Sequence, residues 1–184
     1  MIGNLVRFAR AVTLALPLVV GTAYVADSTD DKIIRAITPV VEVQEGFRSS
    51  PYTDTVGVWT IGYGHTKDVT QDTLPITKQE ARELLKQDLR IALAHARVIV
   101  EDFDTFSIER QQVIVNMVFN MGPTRFKRFK RTLQALEERN FLMTGVHMTD
   151  SKWYTQVTGR AGYLTHQMIC NMPPEHDGSY QLKQ

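Results

Sequence analysis

Apolar and polar positions change their spacing several times along the chain, and each change marks an element. Ala11 to Ala26 is an uncharged run of sixteen residues, preceded by Arg7 and Arg10 and followed by Asp27, Asp30 and Asp31. Next come Ile33, Ile34 and Ile37, then Thr38-Pro39-Val40-Val41, which reads as a helix start with Thr38 as N-cap and Pro39 in the first turn. The three isoleucines leave an earlier, kinked start open. Gly46 after Glu45 predicts the helix stop. Phe47 to Gly64 breaks into short runs such as Val58-Trp59-Thr60-Ile61, punctuated by Ser49, Ser50, Pro51 and Gly57, which predicts a small antiparallel sheet.

Beyond that stretch the period becomes helical. Thr77 and Glu80 form a capping box. Leu84, Leu85, Asp88, Ile91, Ala92, His95 and Val98/Ile99 then recur on one face of a helix of about twenty residues, long enough to join two lobes. His95 in that register is expected at the edge of the core. Ser107-Ile108-Glu109-Arg110 opens another helix running to Met121-Gly122, and Phe126, Phe129, Leu133 and Leu136 mark the apolar stripe of a further one. The expected architecture is α+β and mainly helical, with a small sheet lobe and a helical lobe.

Composition narrows the function classes. The 184 residues suit one catalytic domain with a short extension, and 43% apolar with 22% charged residues is ordinary for a folded domain. Without residues 1–27 the charges balance at 19 basic and 19 acidic. A neutral body argues against a nucleic-acid binder. In Arg125-Phe126-Lys127-Arg128-Phe129-Lys130-Arg131 the phenylalanines belong to the helix stripe and the cations to its solvated face. A second reading has those cations meeting anionic phospholipid or the acidic peptide stems of a cell wall. The single cysteine, Cys170, excludes an internal disulfide and is expected to be a buried or half-buried thiol. His65, His95, His147, His166 and His176 lack metal-binding spacing, and no cofactor or metal is expected.

The chemistry concentrates in EGFRSSPYTDTVGVWTIGYGHT, with Glu45, Asp54 and Thr60. Glycosidic cleavage needs an acid for the leaving oxygen and a carboxylate on the other face of the sugar. A glutamate ending a helix between Val43 and Phe47 is expected to be partly desolvated and to keep its proton, whereas an aspartate in a solvated turn stays charged. Thr60 shares a strand face with Val58 and Gly62 and can aim its hydroxyl into a cleft. Asn116 and Asn120, one helical turn apart, are candidates for sugar hydroxyls or acetamide groups, with helix and loop hydrogen bonding the equal alternative.

Glu45, eight residues, Asp54, five residues, Thr60, and then Ile61-Gly62-Tyr63-Gly64-His65 is similar to the active-site signature of T-even-type phage lysozymes, glycoside hydrolase family 24. The resemblance continues in Val115-Asn116-Met117-Val118-Phe119-Asn120-Met121-Gly122, which looks like that family's central buried helix. It ends in Trp153-Tyr154-Thr155-Gln156 and Arg160, which look like its C-terminal element, with Gln156 and Arg160 buttressing the lobe. Together these motifs cover roughly residues 36–165. The resemblance implies a lysozyme fold and cleavage of the β-1,4 bond between N-acetylmuramic acid and N-acetylglucosamine. It also implies Glu45 as general acid, Asp54 as second carboxylate, Thr60 as holder of the attacking water, and inversion at the anomeric carbon. A lytic transglycosylase would need no water, and the Asp54–Thr60 pair argues against it. A catalytically dead wall-binding scaffold is opposed by the intact triad.

Residues 5–26 resemble the signal-arrest-release segment of certain phage endolysins, rich in alanine and glycine. Sixteen helical residues span about 24 Å against a hydrocarbon core of about 30 Å, and Thr13, Pro17, Gly21 and Thr22 weaken the run further. A cleaved signal and a permanent anchor are the competing readings. Basic residues before the run and acidic ones after it orient the N-terminus to the cytoplasm. The expected organisation is thus 1–27 as a releasable inner-membrane segment and 28–184 as the catalytic domain. The enzyme would be held at the inner membrane, freed to the periplasm and monomeric once released. Its substrate would be peptidoglycan glycan strands, with lysis of the host at the end of a phage infection. The tethered form is expected to be inactive, because only seventeen residues separate Asp27 from Glu45.

Overall fold

The computed structural model describes residues 28–54 and 57–172. The segment 1–27, and with it the expected releasable anchor, lies outside the described residues. No helix among the described residues is long and apolar enough to cross a membrane.

Helix α1 spans Thr29–Glu45. Ser28, not Thr38, is its N-cap, with the hydroxyl accepting from the Asp31 amide at 3.1 Å. The earlier start prevails because Ile33, Ile34, Ile37, Val40 and Val41 all reach the core. Their burial outweighs the one backbone hydrogen bond that Pro39 cannot donate. Thr38 is buried in mid-helix, its hydroxyl donating to the Ile34 carbonyl at 2.6 Å. Gly46 ends the helix at φ +68°, a conformation that a residue with a Cβ rarely adopts. The stop therefore leaves Glu45 on the last turn.

Strands β1 (Arg48–Thr53) and β2 (Trp59–Gly62) form a two-stranded antiparallel sheet in which Tyr52 pairs with Thr60 and Thr53 with Trp59. A tight turn follows β2: Ile61 and His65 exchange backbone hydrogen bonds of 2.9 and 3.0 Å around Gly62-Tyr63-Gly64.

Helix α2 (Lys78–Ile99) opens on the expected capping box, with Thr77 and Glu80 bonded reciprocally. Its 22 residues make a rod of about 33 Å. The buried face is Ala81, Leu85, Leu89, Ala92, Leu93 and Ala96. That stripe is rotated from the expected one. Ile91, His95 and Val98 are exposed, so His95 is not a core-edge residue. The buried face is apolar at every position, whereas the expected one includes Asp88 and His95, whose polar groups oppose burial.

Helix α3 (Ile108–Met121), capped by Ser107, is the centre of the helical lobe. Val113, Ile114, Val115, Met117 and Val118 are all buried, and so are Gln111, Gln112 and Asn116. A helix buried around most of its circumference has neighbours on every side; α1, α2 and α8 (Thr158–Cys170) pack against it.

The stripe from Phe126 to Leu136 is divided between α4 (Pro123–Phe126) and α5 (Lys130–Glu137). Phe126 and Leu136 are buried, whereas Phe129 lies in the turn between the helices and meets Trp153 edge-on at 6.3 Å. Helices α6 (Phe141–Thr149) and α7 (Lys152–Gln156) complete the lobe. Cys170 is exposed, contrary to the expectation of a buried thiol, because it sits on the last turn of α8. Its sulfur lies 3.4 Å from His166 Nε2.

Candidate active site

The end of α1, the hairpin, α2 and the end of α3 enclose a cleft of about 520 Å³. Glu45, Asp54, Thr60 and Asn120 all line it. Opposite walls come from Asp88, Ile91, Ala92 and His95 on α2 and from Val118 and Phe119 on α3. The two carboxylates thus open into one groove.

The hairpin turn fixes Asp54. Its Oδ1 accepts from the Val58 amide at 2.8 Å, and its backbone amide donates to the Val58 carbonyl at 3.0 Å. A short polar side chain that bonds to its own turn is the physical reason for aspartate here. Thr60 is buried, and its hydroxyl donates to the Val58 carbonyl at 3.1 Å. With the hydrogen committed there, the oxygen's lone pairs remain to accept from a water in the cleft.

Glu45 sits in a different setting from the apolar one anticipated. Val43 is exposed, and the group in contact with the carboxylate is Arg160, whose Nη2 donates to Oε1 at 2.6 Å. The Arg160 side chain is 8% exposed and that of Glu45 24%. On the other side stands Gly64, where an added Cβ would lie 3.7 Å from Glu45 Oε2. Gly64 has φ +91°. The turn needs glycine for its backbone, while an added Cβ would touch the second carboxylate oxygen only at ordinary contact distance.

Asn116 does not reach the cleft. It is 1% exposed, and its Nδ2 donates to Gln44 Oε1 at 3.0 Å, which is the hydrogen-bonding alternative of its two readings. Asn120 stays at the surface of the groove, with Oδ1 accepting from Trp153 Nε1 at 2.8 Å. His65 holds the hairpin to α2 through a 2.8 Å contact between Nδ1 and Asp88 Oδ2. Arg160, Gln44 and His95 were missed as site residues. No local spacing relates Arg160 to Glu45 across 115 positions, and the helical period that marks His95 fits two faces of α2.

A second cavity of about 720 Å³ adjoins the cleft, with Asn120 lining both. Arg125, Arg128, Lys130, Arg131 and Lys152 border it, with Asp150 paired to Arg131 at 2.6 Å.

A helix-ending glutamate, a hairpin aspartate and a buried strand threonine thus surround one groove. Residues 42–164 match the Phage lysozyme family, and the chain belongs to it. It is 23% identical over 154 residues to "Probable T4-type lysozyme 2" of Dictyostelium discoideum, covering 70% of this chain and 91% of that one. It is 27% identical over 161 residues to "Pre-baseplate central spike protein Gp5" of Enterobacteria phage T4, covering 74% and 28%. It is also 27% identical over 141 residues to "Peptidoglycan hydrolase gp36" of Pseudomonas phage phiKMV, covering 75% and 15%. Hydrolysis of peptidoglycan is the activity that goes with this membership.

Proposed function

We propose that the enzyme is an endolysin that hydrolyses the β-1,4 bond between N-acetylmuramic acid and N-acetylglucosamine with inversion. The observation that carries this reading is the shared cleft of Glu45, Asp54 and Thr60. Glu45, protonated, gives its proton to the glycosidic oxygen as the bond to the anomeric carbon breaks. A water held between Asp54 and the Thr60 oxygen attacks that carbon from the opposite face and passes its proton to Asp54. One hemiacetal hydroxyl and one alcohol are formed, and solvent resets both carboxyls. Arg160 stabilises the carboxylate that Glu45 becomes after giving up its proton, so its interaction strengthens as charge develops.

Asn120, on the border of both cavities, supports extending the substrate beyond the sugar. Peptide stems rise from the muramic acid residues and carry carboxylates. The cationic border of the second cavity suits them by charge, and its continuity with the cleft favours stems over phospholipid.

The segment 5–26 is proposed to hold the enzyme at the inner membrane until it is released to the periplasm, where it acts as a monomer. Tension on α1, which begins at Thr29 and ends at Glu45, would keep the tethered form inactive. Clearing of purified cell walls tests the central reading. Glu45→Gln is expected to abolish clearing while the circular dichroism spectrum is unchanged; undiminished clearing would remove Glu45 as the acid. Fractionation before and after depolarisation tests the tether, and an active enzyme that stays with the membrane at full potential contradicts it.

A further inference from the structure

Behind Arg160 lie two amides, Gln44 and Asn116, that the reaction scheme does not use. Gln44 Oε1 accepts two hydrogen bonds, from Asn116 Nδ2 at 3.0 Å and from Arg160 Nε at 2.9 Å. Arg160 then spans to the next residue, its Nη2 reaching Glu45 Oε1. Neighbouring residues on the last turn of α1 therefore receive two nitrogens of one guanidinium plane. We infer that Gln44 is a positioning residue, a neutral acceptor that aims Arg160 at Glu45 and leaves its whole charge to that carboxylate. The inference rests on Glu45 being the acid.

Three observations support it. The Arg160 side chain is almost fully removed from water, so its charge depends on its partners. Glu45 is the carboxylate paired with it, and Gln44 supplies an acceptor without a second negative charge. The remaining atoms of the amide pair, Gln44 Nε2 and Asn116 Oδ1, are buried without a hydrogen-bond partner. Leaving such atoms unpaired is costly, yet the arrangement keeps both donors, Asn116 Nδ2 and Arg160 Nε, on Gln44 Oε1. A carboxylate at position 44 would satisfy the same two donors but would compete for the guanidinium.

Several other charged or titratable groups face the cleft around Glu45. They are Asp54 from the hairpin, Lys67 from the loop after it, and Asp88 and His95 from α2, with His65 bonded to Asp88. On α1 itself, Glu42 is engaged by Arg82. Among the described residues, Arg160 is the one whose side chain is hydrogen-bonded to Glu45.

The test is the pH profile of kcat/KM on a defined soluble glycan oligomer. Gln44→Glu turns a neutral cluster of Arg160 and Glu45 into one of net charge minus one, which favours the protonated acid. The alkaline limb is expected to move to higher pH by about one unit. Gln44→Met removes the acceptor, and kcat is expected to fall about tenfold with KM unchanged. A folded Gln44→Glu enzyme whose alkaline limb does not move overturns the inference. Should that variant fail to fold, Gln44→Met decides the matter, and an unchanged kcat overturns it. A structural role alone would lower the melting temperature of both variants without touching the profile. Glu45→Gln separates the two levels. If it stays active the acid assignment is lost; if it is dead while Gln44→Glu leaves the profile unmoved, the positioning role alone falls.

Discussion

Arg160 on α8 donates to Glu45 on α1 at 2.6 Å, so the carboxylate proposed as the acid is held by a residue 115 positions further along the chain. The pair joins the helical lobe to the cleft edge. One oxygen is bonded to the guanidinium, and the other lies beside Gly64. Arg160→Ala is therefore expected to lower kcat by ten- to a hundredfold, because the anion formed on proton transfer loses its partner. Unchanged steady-state kinetics on purified glycan would contradict that role.

Helix α1 is also tied down at its start. Arg97 on α2 bonds Asp30 through two nitrogens and also reaches Asp104, while Arg90 pairs with Asp31. The hydrogen bond from Arg97 holds the Asp30 carboxyl below the usual carboxylate range against the opposing effect of burial. A depressed native value means that the unfolded chain binds the proton more readily. Stability from this pair is thus present above the unfolded value near 3.8 and is lost as pH falls through the lower native one. Because the pair is partly solvated, Asp30→Asn is expected to cost about 0.5–1 kcal/mol at pH 7. In urea unfolding that difference should shrink towards zero below the usual carboxylate range. A constant difference at both pH values would show that the charge is irrelevant.

Helices α6 and α8 meet at Gly145. A Cβ there would stand 2.5 Å from both Cγ1 and Cδ1 of Ile169. Alanine normally stabilises a helix interior relative to glycine, but here the overlap dominates, and Gly145→Ala is expected to cost about 1–3 kcal/mol. Ile169→Ala should relieve part of that penalty in the double variant. Strict additivity of the two changes would rule out the contact as the cause.

The cations around the second cavity yield a separate expectation. Reversing Arg125, Arg128 and Lys130 to glutamate should slow clearing of walls that carry peptide stems, with a weaker salt dependence than the parent. Cleavage of a stem-free glycan should be unaffected. Equal rates on both substrates, before and after reversal, would remove the proposed stem contact.

Much of the fold could be read from local rules. Gly46, the Thr77–Glu80 capping box and the Ser107 cap are decided within a few residues, and they mark helix ends where the sequence put them. The hairpin between Glu45 and His65 was equally legible, since its glycines and its aspartate serve the turns themselves. What escaped was set by packing. Thr38-Pro39 has the form of a helix start, yet the burial of Ile33 and Ile34 carries the helix through it. On α2 two faces have helical spacing, and the small residues Ala81, Ala92 and Ala96 were the ones that let neighbours approach closely. His95 was thereby turned from the core to the cleft.

The same limit applies to the site. Glu45, at the end of α1, and Asp54 and Thr60, in the hairpin that follows, lie within sixteen consecutive residues and share a signature, whereas Arg160 and Asn116 come to Gln44 from helices distant in sequence. Asn116 looked like a partner for sugar because it lies one turn from Asn120. The tertiary position of α3 decided which of the two meets the groove.

The account depends on a water seated between Asp54 and Thr60 on the face opposite Glu45. Proton NMR of the first-formed reducing end, recorded before mutarotation, tests this most directly. The α-anomer is the predicted product, and a β-anomer or an anhydro-muramyl end would contradict the mechanism.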